Sequence, residues 1–457
     1  MNILQDIKHI YFIGIGGIGM SALARFANLK SLHVHGYDKT DTKLTKALAH
    51  EGMQITFLDS VSEIAKLGLT ALETLVIYTP AIPKTNKIFS WFLANEFQML
   101  KRSQFLGEIT KDTKCLAVAG THGKTTTSAI LGHLMIACDM PVTAFLGGIA
   151  ENYNSNFISK GTEITVVEAD EFDRSFLTLS PDIACITSMD ADHLDIYGNA
   201  AEIEKSFNDF ANLVEDKNNL LYRSGLPLEG QTVAIEEKAA FEAQNVRVEN
   251  GGYVFDLQTP SVTLKDLRFY VPGHHNLHNA ITAVGMAILA GASTDVLPEA
   301  LASFKGVERR FSYKIRTKDI VLIDDYAHHP TELNALHQAV SEMYPEDKKV
   351  IVFQPHLFSR TKDFVTDFAQ SLMQFDQVYL LDIYPARETP IEGVNSNWLL
   401  RLINAERSSE LPPAKLVSKA HISEVLKTSA CRIKLLVGAG DIGAEVEQVA
   451  KNLKNEG

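Results

Sequence analysis

Short apolar runs alternate with stretches of helical periodicity along this chain, and the alternation falls into three blocks, each with its own glycine-rich turn. Apolar runs of about four to eight residues between turn residues read as buried strands, and apolar positions recurring every three to four residues read as helices packed on them. The first block predicts a strand over His9–Ile13, the turn Gly14-Ile-Gly-Gly-Ile-Gly19, a helix over Met20–Leu29 and a strand over Ser31–Tyr37 that ends at Asp38. The central block predicts a strand over Cys115–Ala119, a turn ending in Lys124-Thr125, a helix, and strands over Ile164–Glu168 and Ile183–Ser188. Farther on, Pro272-Gly-His-His-Asn-Leu-His-Asn-Ala280 precedes a helix predicted over Ile281–Leu289. The third block predicts strands over Ile320–Ile323, Val350–Phe353, Val378–Ile383 and Leu435–Val437, the last followed by Gly438-Ala-Gly-Asp-Ile-Gly443. Strands alternating with helices make an α/β fold with mostly parallel sheets, whose functional groups collect at the carboxyl ends of the strands.

The most specific chemistry lies in Val118-Ala-Gly-Thr-His-Gly-Lys-Thr-Thr-Thr127. A strand feeding a glycine turn, Lys-Thr and a helix is a triphosphate cradle. Gly120 and Gly123 let backbone N–H groups converge on phosphate oxygens, Lys124 supplies a point charge, and Thr125 offers a hydroxyl to Mg²⁺. Val118 stands where the usual pattern has its first glycine, and the predicted ATP-binding segment runs Gly120, Thr121, His122, Gly123, Lys124, Thr125, Thr126. Gly14, Gly16, Gly17 and Gly19, with Asp38 about twenty positions on, form a second site for a pyrophosphate-bearing ligand, which UDP satisfies as well as NAD. Because Gly438–Gly443 repeats that pattern, at least one of the two turns is a packing device.

Carboxylates follow both central strands, in Glu168-Ala-Asp-Glu-Phe-Asp173 and Met189-Asp-Ala-Asp-His-Leu-Asp195. At the carboxyl edge of a parallel sheet beside a triphosphate loop they are placed to hold Mg²⁺. Asp170, Glu171 and Asp173 read equally as loop charges. His193 is a soft ligand for Mg²⁺, and its position after a second strand of the same sheet is what makes it a candidate. Asn276 and Asn279 either cap the following helix or read an adenine edge.

Composition narrows the function classes. The chain has 457 residues, 46% hydrophobic, enough for about two to four domains with substantial cores. No run is long enough to span a bilayer, and Met1–Ile10 carries Asp6, Lys8 and His9 without an apolar signal core, so a cytoplasmic protein is expected. A net charge of −13 argues against a nucleic-acid surface. Cys115, Cys138, Cys185 and Cys431 are scattered, which suits reduced thiols.

The order Gly14–Met20, Ala119–Thr126, Glu168-Ala-Asp-Glu171, Asp192-His193, His275-Asn276, Arg310, Asp324-Asp-Tyr-Ala-His-His-Pro-Thr331 and Gln354-Pro-His-Leu-Phe-Ser-Arg-Thr361 resembles that of the Mur ligases over essentially the whole chain. The resemblance implies three domains: a Rossmann-like UDP-sugar domain over 1–108, a central P-loop-type ATPase domain over 109–313, and a Rossmann-like domain over 314–457 that closes on ATP and binds the amino acid. The implied activity is ATP-dependent ligation of L-alanine to the lactyl carboxylate of UDP-N-acetylmuramate, through an acyl phosphate and a tetrahedral intermediate, in peptidoglycan precursor synthesis. Carried over by motif, Lys124, Glu168 and His193 are catalytic, and Thr125, Glu168 and His193 hold Mg²⁺ or Mn²⁺. Asn276, Asn279, Arg310 and Asp325 join the ATP site. His328, His356 and Arg360 are candidates for the alanine pocket, since an amino-acid carboxylate needs an imidazole or a bidentate guanidinium; Arg360 also reads as a surface charge. Two positions depart from the family: Asn208 stands where several members carry a carbamylated lysine, and Leu357 stands where alanine-adding members have a second basic residue.

Three other readings compete. A recycling ligase would attach a preformed peptide to the same sugar and would need a larger pocket. A nicotinamide-dependent oxidoreductase would use Gly14–Gly19 and Asp38 but leaves Lys124-Thr125 without a task. A non-catalytic ATP-binding sensor would bind nucleotide without releasing phosphate.

Overall fold

The computed structural model describes residues 3–190, 197, 199–249, 251–386 and 388–454. Among these, strands form three sheets. The first has strands β1 (His9–Ile13), β2 (His33–Tyr37), β3 (Gln54–Thr56), β4 (Thr74–Tyr78) and β5 (Gln98–Lys101) in the order β3-β2-β1-β4-β5, all parallel. The order reverses beside β1, so the glycine turn leaving β1 occupies the crevice where doubly wound sheets bind ligands.

The second sheet has ten strands: β6 (Lys114–Ala119), β7 (Val142–Ala150), β8 (Ser155–Ser159), β9 (Ile164–Glu168), β10 (Ile183–Ile186), β11 (Leu220–Arg223), β12 (Gln231–Ile235), β13 (Phe241–Glu249), β14 (Gly252–Gln258) and β15 (Thr263–Phe269). Their order is β15-β14-β13-β12-β11-β10-β6-β9-β7-β8. β6 runs parallel between β9 and β10, so Ala119, Glu168 and Ile186 end at one edge. The third sheet, β16 (Ser312–Arg316), β17 (Val321–Asp325), β18 (Lys349–Phe353), β19 (Gln377–Leu380), β20 (Lys415–Leu416) and β21 (Ile433–Val437), runs β16-β17-β21-β18-β19-β20. Only β16 is antiparallel to its neighbour there.

The chain divides into two compact units: Met1–Arg247 with Val254–Phe269 and His278–Lys305, and Val248–Tyr253 with Tyr270–Leu277 and Gly306–Gly457. In the first unit one apolar cluster runs from Ile10, Phe12 and Phe26 through Ala117, Phe145 and Val167 to Phe176 and Phe207. Phe26, on the helix Ile18–Leu29, meets Phe145 of β7 with ring centroids 5.5 Å apart. Burying an aromatic side chain contributes roughly 1.5–3 kcal/mol. In the second unit a cluster including Ile323, Leu336, Phe353, Phe368 and Leu435 fills one face of the third sheet.

Several element ends differ from expectation: the strand predicted over Val378–Ile383 stops at Leu380, and two further differences lie beside the nucleotide motifs. The helix predicted from Ile281 spans His274–Ala290, so Asn276 and Asn279 lie inside it rather than before it. Polar residues can open the helix because Asn276 Nδ2 donates to Pro272 O at 2.6 Å within the first turn. The strand predicted to Ser188 stops at Ile186, where Thr187 turns its hydroxyl onto Ala119 O at 3.1 Å. All four cysteines are free, and Cys115, Cys185 and Cys431 are buried.

Candidate active site

At the end of β6 the backbone turns through Gly120 (φ +133°) and Gly123 (φ +86°), left-handed positions that favour glycine. A Cβ at Gly120 would lie 2.1 Å from Thr187 Oγ1, and one at Gly123 would lie 2.5 Å from Asn279 Oδ1. The turn thus presses against β10's exit and against Asn279. Thr121 donates its hydroxyl to Asp190 O at 3.0 Å, and the His122 N–H donates to Ser188 Oγ at 2.8 Å. Gly123 caps the helix Lys124–Ala137, whose first turn carries Thr125 and buried Thr126. Free N–H groups at a helix start over a glycine turn make an anion site.

Lys124 Nζ reaches Gly120 O at 2.6 Å and Glu171 Oε1 and Oε2 at 2.9 and 2.7 Å. Burial opposes the charge on Lys124, but Glu171, Glu168 and Asp170 together outweigh it and raise its pKa. The ammonium is therefore charged at neutral pH. Beside it, Thr125 Oγ1 lies 3.0 Å from each Glu168 oxygen, and the Gly147 N–H donates to Glu168 Oε2 at 2.9 Å. These are hard oxygen donors, which fit Mg²⁺; among the described residues no group of three or more His, Cys, Asp or Glu gathers for a metal. His193 lies outside the described residues.

In the first sheet's crevice Gly14 (φ +89°) begins the turn and Gly17 caps the helix Ile18–Leu29. Asp38 braces the turn and its own loop and keeps acceptor capacity to spare: Oδ2 accepts from the Gly16 N–H at 2.8 Å and Oδ1 from the Thr40 N–H at 3.1 Å. The turn Gly438–Gly443 is filled from within. Gln354 Oε1 accepts from the Ile442 N–H at 2.9 Å, and a Cβ at Gly443 would lie 2.4 Å from the Arg309 guanidinium. It is a packing turn.

In the second unit His328, His356 and Arg360 come together. The two imidazole centroids are 5.8 Å apart, and Arg360 Nη1 lies 3.4 Å from His356 Nδ1. Burial, with Arg360 and Arg310, lowers the His328 pKa against the opposing pull of Glu332. Leu357, between the two basic residues, holds φ +71°, a strained value for a branched side chain of the kind that clusters at functional sites. Arg310 lies between left-handed Arg309 and Phe311, and Asp325 clasps that turn by accepting from the Phe311 N–H at 2.7 Å. Tyr326 stacks under both guanidiniums, 5.0 and 5.1 Å from Arg309 and Arg310. Asn208 turns to Glu204 O at 2.9 Å on its own helix. In the sequence Glu171 reads as one of several loop charges, and neither Arg309 nor Tyr326 stands out. Arg309 had a signal in the run Gly306–Phe311, but nothing there distinguishes it from its neighbour.

A doubly wound sheet, a central sheet with a glycine turn and a carboxylate at adjoining strand ends, and a third mostly parallel sheet make the three-part α/β fold expected of a nucleotide-dependent ligase. The chain belongs to the Mur ligase family. Family models match residues 9–114 (Mur ligase family, catalytic domain), 118–287 (Mur ligase middle domain) and 309–443 (Mur ligase, glutamate ligase domain). It is 56% identical over 457 residues to the UDP-N-acetylmuramate–L-alanine ligase of Christiangramia forsetii, covering 100% of both chains. It is 56% identical over 450 residues to that of Flavobacterium psychrophilum, covering 98% of this chain and 99% of the relative. Its structure is similar to that of the UDP-N-acetylmuramate-alanine ligase from Thermotoga maritima, with TM-score 0.82 and 26% identity over 98% of this chain and 100% of that one.

Proposed function

We propose that this protein joins L-alanine to the lactyl carboxylate of UDP-N-acetylmuramate with conversion of ATP to ADP and phosphate. The observation that carries the reading is the Lys124 ammonium beside the Thr125–Glu168 pair at the start of a helix over a glycine turn. A carboxylate is a poor electrophile, so its oxygen attacks the γ-phosphorus, the bond to ADP breaks, and an acyl phosphate forms. The neutral alanine amine then attacks the acyl carbon, the tetrahedral intermediate breaks its C–O bond to phosphate, and the nitrogen's surplus proton leaves to phosphate or solvent as the amide forms. Lys124 neutralises charge on the transferring group, and the loop N–H groups orient it. Thr125 and Glu168, with His193, would hold Mg²⁺ or Mn²⁺, which supplies further charge neutralisation when bound. Asn276 and Asn279 are assigned to adenine, Arg310 and Asp325 to phosphate and ribose, and Gly14, Gly16, Gly17, Gly19 and Asp38 to the UDP-sugar. His328, His356 and Arg360 are assigned to alanine. The domains are taken as 1–108, 109–313 and 314–457, and the setting as the cytoplasm; no helix among the described residues is long and apolar enough to cross a membrane.

The test is phosphate release by purified protein with ATP, Mg²⁺ and UDP-N-acetylmuramate, comparing L-alanine with other amino acids and a tripeptide. Release with L-alanine is expected. Release with the tripeptide in its place would transfer the assignment to a recycling ligase, and nucleotide binding with no release would leave a sensor.

A further inference from the structure

Arg102 lies outside every motif described above. It opens the helix Arg102–Lys111 after β5, and its guanidinium sits against Gly19 in the first turn of the helix Ile18–Leu29. A Cβ at Gly19 would lie 3.0 Å from Arg102 Nη1 and 3.2 Å from its Cδ, so glycine there leaves the room this cation occupies. On the other side Nη2 donates to Asp170 Oδ2 at 3.0 Å. Asp170 stands two residues beyond Glu168, and Arg102, Ser103, Glu168, Asp170 and Ser175 line one small cleft. All these residues belong to the first compact unit.

Among the described residues the bond to Asp170 is the guanidinium's one hydrogen bond, so Nη1, on the glycine-turn side, has no protein acceptor. A guanidinium offers five N–H donors in a planar fork that matches phosphate oxygens. The side toward Glu168 is taken by Asp170. The side toward Gly19 adjoins backbone N–H groups at a helix start, which favour phosphate. We propose that Arg102 grips the pyrophosphate of the UDP-sugar on the Gly14–Gly19 turn and, through Asp170, positions that sugar toward Glu168. The inference rests on the UDP-sugar reading given under Proposed function.

The experiment is calorimetric binding of UDP, UDP-N-acetylmuramate and ATP to the full chain as wild type, Arg102→Ala, Arg102→Lys and Asp170→Asn, with steady-state kinetics alongside. Arg102→Ala is expected to weaken UDP and UDP-N-acetylmuramate alike by about 10–100-fold, the range for a lost charge-assisted hydrogen bond. Arg102→Lys should recover part of that loss, and ATP affinity should stay at the wild-type value. KM for the UDP-sugar should rise by the same factor while kcat changes less than about threefold. Asp170→Asn, which keeps the cation, should bind UDP as well as wild type or better. Unchanged UDP binding in Arg102→Ala overturns the proposal. A loss confined to UDP-N-acetylmuramate also overturns it, since the cation would then hold the lactyl carboxylate. Equal losses in Asp170→Asn and Arg102→Ala would reduce the pair to a structural tie and overturn it too. Failure of the wild type to bind UDP-N-acetylmuramate is the separate failure of the UDP-sugar reading.

Discussion

A lysine sunk among three carboxylates is held charged by its neighbours, and the price of burying it is met by Glu171 on one side and two loop carbonyls on the other. Lys124→Ala removes the charge proposed to act on the transferring phosphoryl group, and with it the ammonium paired with Glu171. Turnover should fall by on the order of 10³-fold or more in a phosphate-release assay, with UDP-sugar affinity within about twofold of wild type. Loss of sugar binding in that variant would contradict separate sites for sugar and phosphate. In the second unit, Arg360→Ala should raise KM for L-alanine by about 10–100-fold and leave KM for ATP unchanged. An unchanged KM for alanine would return Arg360 to the surface-charge reading.

At the level of elements, the chemistry depends on strand ends being level with one another. β6, β9 and β10 are parallel and in register, so Ala119 pairs with Ile186 and Val118 with Glu168. β7 adds a constraint: a Cβ at Gly147 would lie 2.1 Å from Glu168 Oε2, so this glycine lets the strand press on the carboxylate and donate an N–H to it. Gly147→Ala should displace Glu168 by about an ångström and lower kcat by roughly 100-fold. Near-native thermal stability with full activity would show that Glu168 does not depend on that contact. The two glycine patterns with the same spacing differ only in what surrounds them. Gly14–Gly19 faces a crevice beside an order reversal, whereas Gln354 and Arg309 fill Gly438–Gly443.

At the scale of the whole molecule, His35 and the Asp324–Asp325 pair make contributions of opposite sign to stability in acid. Burial, with His9, lowers the His35 pKa to about 4, while Gln54 opposes and His33, Lys8 and Glu73 act on the His9 partner. A histidine held below its ordinary value of about 6.5 takes up its proton preferentially on unfolding, so its contribution is present above pH 6.5 and is lost as pH falls toward 4. Burial raises Asp324 and Asp325 to about 6, so they act oppositely: their cost is present above pH 6 and is relieved as pH falls toward 3.8. The two effects partly cancel between pH 6 and 4. His35→Asn should therefore make stability in urea rise more, by on the order of 2–3 kcal/mol, as pH drops from 6.5 to 4 relative to wild type. A pH profile parallel to wild type would show that His35 titrates normally in the folded state.

What the sequence determined by itself was local. His9–Ile13 and Ile164–Glu168 were legible to the residue because an apolar run between turn residues encodes a buried strand, and the turn through Gly120 and Gly123 into the helix at Lys124 because a strand, two glycines and Lys-Thr fall in one short segment. The helix start at His274 was hidden because Asn and His there suit a loop as well as a first turn until Asn276 is seen bonded to Pro272. Tertiary structure alone decided which carboxylate pairs with Lys124, which glycine turn is filled by side chains, and that Arg102 stands between Gly19 and Asp170. Those choices join residues tens of positions apart, and only strand order and register bring such residues within a few ångströms.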